Sequence, residues 1–428
     1  MRIDERSSEG SAPHDQAVPA RQRRPLRLTV YLDSTEMGGA EQSAATLLAS
    51  LGPHVRATVL GVDPDVVRQV AAARPGTPGS VLPVVTTKVN GAGVLAHLQA
   101  LRAERPEVLH LNLNHPWSCL YAALAARVTG TPTVGVVHSD FPPAGWSHRW
   151  VLPALARRFA SHVAVSESVA RAREAWLGLA PGTVRVIYNG VLDVVPAVPP
   201  TAGASYDRSS DHPLIGAIGR LAVEKGFDLA LEALTLVPMA RLLLVGDGGE
   251  RARLEGLAAT LGVADRVIFT GWADNARDLL QGCDLLVAPS RVEGCSLVAI
   301  EAMLGGLPVV ATRVGGIPEV VVDGETALLV PPEDPVALAD AIVLLLADPE
   351  LRLRMGCRGR ERALAMFSPE AMARSFEEIY DHARRAAGPA TLKSALGKDE
   401  GPGMGRIGAR SPRASLPPVP GPSARRRP

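Results

Sequence analysis

Two glutamates lie eight residues apart in the segment SRVEGCSLVAIEAM, which runs from Ser290 to Met303. Glu293 stands immediately before a glycine, and Glu301 lies inside an apolar run typical of a helix. Carboxylates accept hydrogen bonds from hydroxyl groups, so the two acids could hold a polyhydroxylated molecule near a helix N-terminus. A solvated loop acid and a solvated helix acid are the plainer alternative, and the neighbouring residues have to decide between the two.

Small residues after the first acid would let a ligand approach the backbone closely. The small residues are Gly294, Cys295 and Ser296, in a segment that extends to Leu297. Its backbone N–H groups would face an anion or a sugar hydroxyl. Helical side chains lean toward the N-terminus, so the Glu301 carboxylate could reach a diol beside that anion, such as a ribose. Glu293 would then hold the other end of the same ligand.

A pair of cations precedes these acids in the segment GAIGRLAVEKGFD. A predicted strand ends near Gly219, Arg220 follows it, and Lys225 comes just before Gly226 opens a predicted helix. Arginine can hold phosphate oxygens through two donors, whereas lysine acts as a point charge. Taken alone, the two cations fit a solvated surface better. Together with the downstream acids they favour a phosphate site.

The N-terminal half has a glycine pair after its first predicted strand, in STEMGGAEQS. Gly38 and Gly39 would permit a tight turn against a phosphate or a substrate. The spacing is not GxGxxG, so a dinucleotide site is poorly supported. A plain strand-to-helix turn is an equally good interpretation.

One histidine of this half lies where ligand-facing residues collect. His138 stands at the C-terminal end of the predicted strand in TVGVVHSD, and Asp140 could orient its ring. A histidine satisfied by nearby backbone groups fits the local pattern as well. His110 and His115 are weaker candidates, and His97 is expected on a helix surface.

These residues need a scaffold of strands that alternate with helices. The short apolar runs are LRLTVYLD, RATVLGV, VLHLNLN, TPTVGVVHS, SHVAVS, VRVIYNG, LIGAIGRL, ARLLLVGDG, RVIFTG, DLLVAPS and LPVVATR. Nearly continuous apolar strands are covered on both faces, which indicates parallel sheets between helices. The predicted fold class is therefore α/β, with two Rossmann-like doubly wound domains that face a cleft.

A proline-rich stretch divides the chain, and the cleft between the two halves is the expected site. The predicted segments are a disordered tail 1–24, a domain 25–190, a linker 191–212, a second domain 213–367, a helix 368–386 capped by Ser368, and a disordered tail 387–428.

Composition excludes several classes of protein. The chain has 428 residues, a formal net charge of +1 and 4% aromatic residues, which argues against nucleic-acid binding. Its four cysteines lie far apart, without the spacing of a zinc site or a disulfide framework, which suggests a reducing compartment. No apolar stretch reaches the roughly 20 residues that span a bilayer. We therefore expect a soluble or peripheral protein.

The motifs, in this order, resemble those of the retaining glycosyltransferases of the GT-B fold, family 4. The resemblance covers about residues 25–386 and is strongest in PSRVEGCSLVAIEAM, with GRLAVEKG before it and PVVATRVGGIPEVVVDGETALLVPPEDPVALADAI after it. GGAE at Gly38–Glu41 and IYNGV at Ile187–Val191 agree with the same family.

The resemblance implies a role for each residue of the second half. Arg220 and Lys225 would hold the donor diphosphate and stabilise the leaving nucleoside diphosphate. Glu301 would bind the ribose hydroxyls and Glu293 the donor sugar. The backbone from Gly294 to Leu297 would contact sugar and phosphate. A larger apolar residue often stands where this chain has Cys295, which bears on the choice of donor sugar rather than on activity.

The resemblance also implies the reaction and its partners. His138 would meet the donor sugar from the other domain, and Gly39 would lie near the diphosphate. A hexosyl group would pass from a nucleoside-diphosphate sugar to a glycan or lipid-linked hydroxyl, with retained configuration, an α-linkage, and no metal or cofactor. The family suggests bacterial polysaccharide biosynthesis in the cytoplasm, with peripheral attachment to the inner face of the membrane left open.

Two other functions fit the same fold. A nucleotide-sugar epimerase would convert its substrate without an acceptor, and a degenerate transferase would bind the nucleotide sugar without catalysis. A phosphorylase would need a pyridoxal-binding lysine, for which the sequence has no motif.

Overall fold

The computed structural model of the chain describes residues 24–84, 91–115, 118–139, 153–193, 212–273 and 276–386. Asp140, most of the predicted linker and nearly all of the two predicted tails lie outside these ranges. Within them the chain forms two parallel sheets of seven and six strands. The prediction of two doubly wound α/β domains is confirmed.

The first sheet has the strand order β3-β2-β1-β4-β5-β6-β7. Its strands are β1 Leu26–Leu32, β2 Val55–Gly61, β3 Gly79–Val81, β4 Val108–Leu113, β5 Thr133–Val137, β6 Ser161–Ala164 and β7 Arg185–Val186. The helices between them are Gly39–Ser50, Pro64–Ala72, Gly91–Glu104, Leu120–Thr129 and Glu167–Leu177. The strand order reverses between β1 and β4, so a crevice opens at the carboxyl ends of these two strands.

The second sheet has the order β10-β9-β8-β11-β12-β13. Its strands are β8 Leu214–Ile218, β9 Arg241–Val245, β10 Val267–Gly271, β11 Leu285–Ala288, β12 Val309–Thr312 and β13 Ala327–Val330. The helices that cover it are Phe227–Thr235, Arg251–Thr260, Ala276–Leu280, Leu297–Leu304, Ile317–Val320, Pro335–Ala347 and Pro349–Met366. Here the order reverses between β8 and β11, whose following loops carry the predicted cations and the first predicted acid.

The last helix, Pro369–Ala386, packs on the first domain although it follows the second. Its buried side chains Met372, Phe376 and Tyr380 belong to the same apolar cluster as β1. Tyr380 Oη is hydrogen-bonded to His110 Nδ1 at 2.7 Å. Ser368 precedes the first residue of this helix, and its Oγ accepts from the N–H of Ala371 at 3.3 Å.

Two short strands and one histidine differ from the sequence-based predictions. Strands β3 and β13, of three and four residues, were not among the predicted strands. The prediction that His97 lies on a helix surface is wrong, because the side chain is 1% exposed. His97 Nε2 is hydrogen-bonded to Tyr31 Oη at 2.7 Å, so the polar ring is satisfied inside the core.

None of the helices in the described part of the chain is both long enough and apolar enough to cross a bilayer.

Candidate active site

The two loops after β8 and β11 bring the predicted lysine to the first predicted acid. Lys225 Nζ donates to Glu293 Oε2 at 2.7 Å, and Ser290 Oγ donates to the same oxygen at 3.3 Å. Arg220 lies in the loop after β8 as well, but its side chain is 53% exposed and donates to Glu224 Oε1 at 2.6 Å. Each cation is therefore held beside a carboxylate, the lysine inside the site and the arginine at its rim.

Arg291 braces these two loops against each other. Its guanidinium donates to both carboxylate oxygens of Asp228, at 2.8 and 3.1 Å, and to the carbonyl of Val223 at 2.9 Å. Its backbone N–H donates to the carbonyl of Glu224 at 2.8 Å. A two-pronged arginine–carboxylate contact fixes direction as well as distance, so the Lys225–Glu293 pair sits on a rigid base.

The helix Leu297–Leu304 begins directly after the small residues of the loop. Ser296 is its N-cap, and its Oγ accepts from the N–H of Ala299 at 3.4 Å. Glu301 lies one turn inside this helix and makes no side-chain hydrogen bond within the described ranges. Burial raises the pKa of the Glu301 carboxyl, while the charge of Arg277 opposes that shift. A desolvated carboxylate that still has acceptor capacity, beside a helix N-terminus, is suited to binding hydroxyl groups.

His138 approaches this loop from the first domain. A β-carbon added to Gly294 would lie 1.9 Å from the His138 carbonyl oxygen, so only a glycine allows the two backbones to meet here. The His138 Nε2–H donates to Asn112 Oδ1 at 2.7 Å. Burial, assisted by His110, lowers the pKa of His138 to about 3, so the ring is neutral at pH 7.

Asn112 has the role that the sequence suggested for Asp140, namely to orient the His138 ring. Asp140 lies outside the described residues, and Asn112 is the described side chain that orients the His138 ring. Asn112 is 1% exposed and stands near the C-terminal end of β4. The run VLHLNLN carried a signal for it, namely a polar residue inside an otherwise apolar strand.

The two glycines of the N-terminal half lie at the start of a helix rather than in a left-handed turn. Gly38 is extended, with φ −135° and ψ −172°, and Gly39 is the first residue of the helix Gly39–Ser50. A β-carbon on Gly39 would lie 3.4 Å from Leu297 Cδ1, so this residue contacts the other domain. The Gly38 N–H donates at 3.0 Å to Glu41, whose carboxylate is buried.

Cys295 is buried in the loop between the domains. Burial raises the pKa of its thiol to about 12, which keeps the sulfur protonated and unreactive at neutral pH. Its main contribution to a site is therefore its backbone and its small volume.

The structure gathers most of the predicted site residues in one place. The residues in direct contact across or within the cleft are Gly39, His138, Lys225, Glu293, Gly294 and Leu297. Arg220 lies at the rim of the cleft, and Glu301 lies one turn inside the helix that begins at Leu297. Three residues that position these groups were not predicted as site residues from the sequence, namely Asn112, Ser290 and Arg291. Across the described ranges no group of three or more His, Cys, Asp or Glu side chains is placed to hold a metal ion.

Two family models match the two halves of the chain. The model for glycosyl transferases group 1 matches residues 202–362, and the model for glycosyltransferase family 4 matches residues 37–192. The first range contains all six strands of the second sheet, and the second range contains β2 to β7 of the first sheet, since β1 precedes it.

Curated relatives agree with these matches. The 2-deoxystreptamine glucosyltransferase of Streptomyces kanamyceticus is 32% identical over 63% of this chain and 76% of its own length. The 2-deoxystreptamine N-acetyl-D-glucosaminyltransferase of Streptomyces fradiae is 31% identical over 70% and 76%. The match to the lipopolysaccharide core biosynthesis glycosyltransferase LpsE of Rhizobium meliloti, at 38% identity, spans about half of that relative, 52%.

Solved structures show the same fold. HepE of Anabaena, crystallised in complex with UDP and glucose, superposes with a TM-score of 0.74 at 24% identity, over 83% of this chain and 99% of HepE. A glycosyltransferase of Rickettsia africae superposes with a TM-score of 0.71 at 18% identity. At these identities the likeness concerns the fold, and it confirms the GT-B prediction.

Proposed function

This chain belongs to the group 1 (family 4) glycosyltransferases, and we propose that it transfers a sugar from a nucleoside-diphosphate sugar to an acceptor hydroxyl with retained configuration. The observation that carries this proposal is the Lys225–Glu293 pair, 2.7 Å apart, beside the N-terminus of the helix Leu297–Leu304. It lies at the point where His138 and Gly39 of the other domain close over the loop.

The departing diphosphate is the group that this site can stabilise. Breaking the anomeric bond builds negative charge on the phosphate, and fixed cations favour that state over the ground state. Lys225 and the helix N–H groups would meet the diphosphate from within the site. Arg220 would leave Glu224 and join them, since an exposed ion pair of this kind contributes little to stability.

The sugars would be held at the two ends of the diphosphate. Glu301 would accept from the two ribose hydroxyls, for which it has to be ionised despite its raised pKa. Glu293 would hold the transferred sugar, oriented by Lys225 and Ser290. The neutral His138 ring, whose Nε2–H is donated to Asn112, would accept a hydrogen bond from a hydroxyl of that sugar at Nδ1 without placing a second positive charge there.

We further propose that the reaction needs neither metal nor cofactor, because the cations and the helix end supply the neutralising charge. The product would carry an α-linkage. Relatives are named for 2-deoxystreptamine and for lipopolysaccharide core biosynthesis. For this chain we propose a glycan or lipid-linked hydroxyl in the cytoplasm, within bacterial polysaccharide biosynthesis.

The test is a screen of nucleotide sugars against crude glycan and lipid acceptors, in the presence of EDTA, with mass spectrometry of the products. We expect one donor to yield a glycosylated product and free nucleoside diphosphate, and NMR of that product to show an α-anomeric proton. Conversion of the donor without an acceptor would instead identify an epimerase. Calorimetric binding of the donor with no product in any reaction would identify a binding protein.

A further inference from the structure

Glu319 of the second domain caps a helix of the first domain. Glu319 lies on the short helix Ile317–Val320. Its two carboxylate oxygens accept from the backbone N–H groups of Glu167 at 2.7 Å and Ser168 at 2.8 Å. These are the first two residues of the helix Glu167–Leu177. Tyr188, also of the first domain, donates its hydroxyl to the same carboxylate at 3.1 Å.

The cap is complete only when both domains take part. The first N–H groups of a helix have no partner within the helix, and a carboxylate there is also favoured by the helix dipole. Ser166 Oγ accepts from the N–H of Val169 at 3.3 Å, so the first domain satisfies the third N–H by itself. Glu319 satisfies the first and the second. Separation of the domains would return these two N–H groups, Tyr188 and a carboxylate to water.

The same short segment supports the loop that carries the proposed donor-sugar acid. The N–H of Gly316 donates to the carbonyl of Glu293 at 3.0 Å. Gly315 has φ +50°, and a β-carbon there would lie 1.9 Å from the same carbonyl oxygen. On its other side, Gly316 faces Ser166, whose Cβ would be 2.8 Å from an added β-carbon. The position of Glu293 is thus linked to the cap formed by Glu319 through the contacts of Gly315, Gly316 and Ser166.

Another contact between the halves has a different character. Arg360 pairs with Asp193 at 2.9 Å, next to the segment that connects the two domains. A contact beside the connection is expected to persist when the domains swing apart, because motion about a hinge is smallest there. The Glu319 contact lies three residues after Gly316, which bonds the Glu293 backbone, and the two N–H groups that it binds are on the opposite domain.

We infer that Glu319 is an interdomain latch and a positioning residue, which holds the domains closed and thereby places Glu293 and Gly294 against His138. The positioning half of this inference rests on the proposed glycosyl transfer, whereas the latch itself does not. Glu319 binds no substrate in this account. It sets how often the two halves of the site are assembled.

The experiment compares Glu319→Ala with Glu319→Gln and with a matched cap that stays inside one domain. Asp334 caps the helix Pro335–Ala347 by accepting from the N–H of Ala337 at 2.9 Å, so Asp334→Ala removes a helix cap without touching the other domain. Hydrogen exchange at the amides of Glu167 and Ser168 reports the latch directly. Small-angle scattering reports opening, calorimetry with UDP, GDP, ADP and TDP reports nucleotide affinity, and turnover reports positioning.

We expect Glu319→Ala to speed exchange at Glu167 and Ser168, to enlarge the radius of gyration and to lower kcat about fivefold, the fold-change to which a typical helix cap corresponds. The Kd of the nucleotide that binds should change less than about twofold, because its proposed contacts lie in the second domain. Glu319→Gln, which keeps one accepting oxygen, should recover part of kcat. Asp334→Ala should leave exchange at both amides, the radius and kcat as in the wild type.

Unchanged exchange at Glu167 and Ser168 in Glu319→Ala would overturn the latch. Faster exchange with unchanged kcat, or an equal loss of kcat in Asp334→Ala, would overturn the positioning role. If wild-type protein transferred no sugar from any donor, the proposed function would fail, and exchange and scattering would still decide the latch.

Discussion

The carboxyl edges of the two sheets meet at the same cleft, yet they are built from different chemistry. At the edge of the second sheet, charged groups are paired at short range, as in Lys225 with Glu293 and Arg291 with Asp228. At the edge of the first sheet, the residue that meets the loop of Gly294 is the neutral His138, which Asn112 orients. The carboxylates of Asp33 and Glu41 at this edge are hydrogen-bonded within their own domain. Among the described residues, Asn112 Nδ2 and Asn114 Oδ1 are buried there without a hydrogen-bond partner.

This difference follows what each edge is proposed to bind. A diphosphate needs cations and free N–H groups, and carboxylates can hold such cations in position before the ligand binds. A neutral sugar needs hydrogen bonds with defined direction, which an amide and an uncharged imidazole supply. Changes that remove charge from one edge, or add it to the other, should therefore have unequal effects.

Removal of the charged edge should have the largest effect. We expect Lys225→Ala and Arg220→Ala each to lower turnover by at least about a hundredfold, because the leaving diphosphate loses a cation that acts in the transition state. Steady-state kinetics with the transferred donor measures this, and circular dichroism checks that the fold persists.

Arg354→Ala is the control for the arginine variant. Arg354 pairs with Glu350 four residues away, as Arg220 pairs with Glu224, but on the outer helix Pro349–Met366. Its loss should leave turnover within about twofold, as expected of an exposed ion pair. Wild-type rates in both Lys225→Ala and Arg220→Ala would contradict the assignment of the diphosphate site.

The second-largest effect on turnover is expected from a substitution that forces the two edges apart. A β-carbon at residue 294 would collide with the His138 carbonyl, so Gly294→Ala has to force the loop and the first domain apart. We expect kcat to fall on the order of tenfold to a hundredfold, since a small misplacement of reacting groups is costly. Gly256→Ala is the control, because its β-carbon would meet nothing within 4 Å, and its kcat should equal the wild-type value. Equal kcat in both variants would show that the contact plays no part.

The charged edge could be predicted from the sequence because its signals are local. Arg220 and Lys225 are five residues apart after one strand, and Glu293 and Glu301 flank the start of one helix. Parallel strand order then brings the two loops together, since β8 and β11 are neighbours in the sheet. Residue types and spacing therefore contained most of the information that fixes this half of the site.

The neutral edge and the domain contacts could not be predicted in this way. Asn112 reaches His138 across 26 residues and Glu319 reaches Glu167 across 152, and neither pair has a motif of its own. His97 was misassigned because a helix pattern does not reveal that Tyr31 of a distant strand offers its ring a partner. Such contacts depend on tertiary packing, which periodicity in one segment does not encode.

A charge added to the neutral edge should produce a moderate effect that depends on pH. The pKa of His138, about 3, lies below the usual value near 6.5, so the ring stays neutral across the assay range and the wild-type rate should show no inflection from it. Asn112→Asp places a carboxylate beside the ring and should raise its pKa. We expect kcat of this variant to fall several-fold as pH drops from about 8 to 5.5.

Asn112→Ala is the matched control, since it removes the same hydrogen bond without adding charge. Its kcat should be lowered by a constant factor at every pH. A new inflection in this variant too, or none in Asn112→Asp, would show that the neutrality of His138 has no bearing on the rate.

The smallest expected effect concerns stability, and it comes from Glu301, whose carboxylate has no hydrogen bond to any described residue. Burial raises the Glu301 pKa above its ordinary value, so the folded state binds this proton more tightly than the unfolded state, and stability falls as pH rises through the folded pKa. Glu301→Gln should therefore raise Tm at pH 7.5 by on the order of 1–3 °C, while at pH 4 the two proteins should melt together. Calorimetry at both pH values measures this, with exposed Glu325→Gln as the control that should shift neither. Glu301→Gln should also bind the nucleoside diphosphate more weakly than the wild type does, because a neutral amide holds a ribose diol less well than a carboxylate does. A lower Tm for Glu301→Gln at pH 7.5 would mean that Arg277 more than compensates the buried charge, and that this side of the cleft stabilises its acid as fully as it does Glu293.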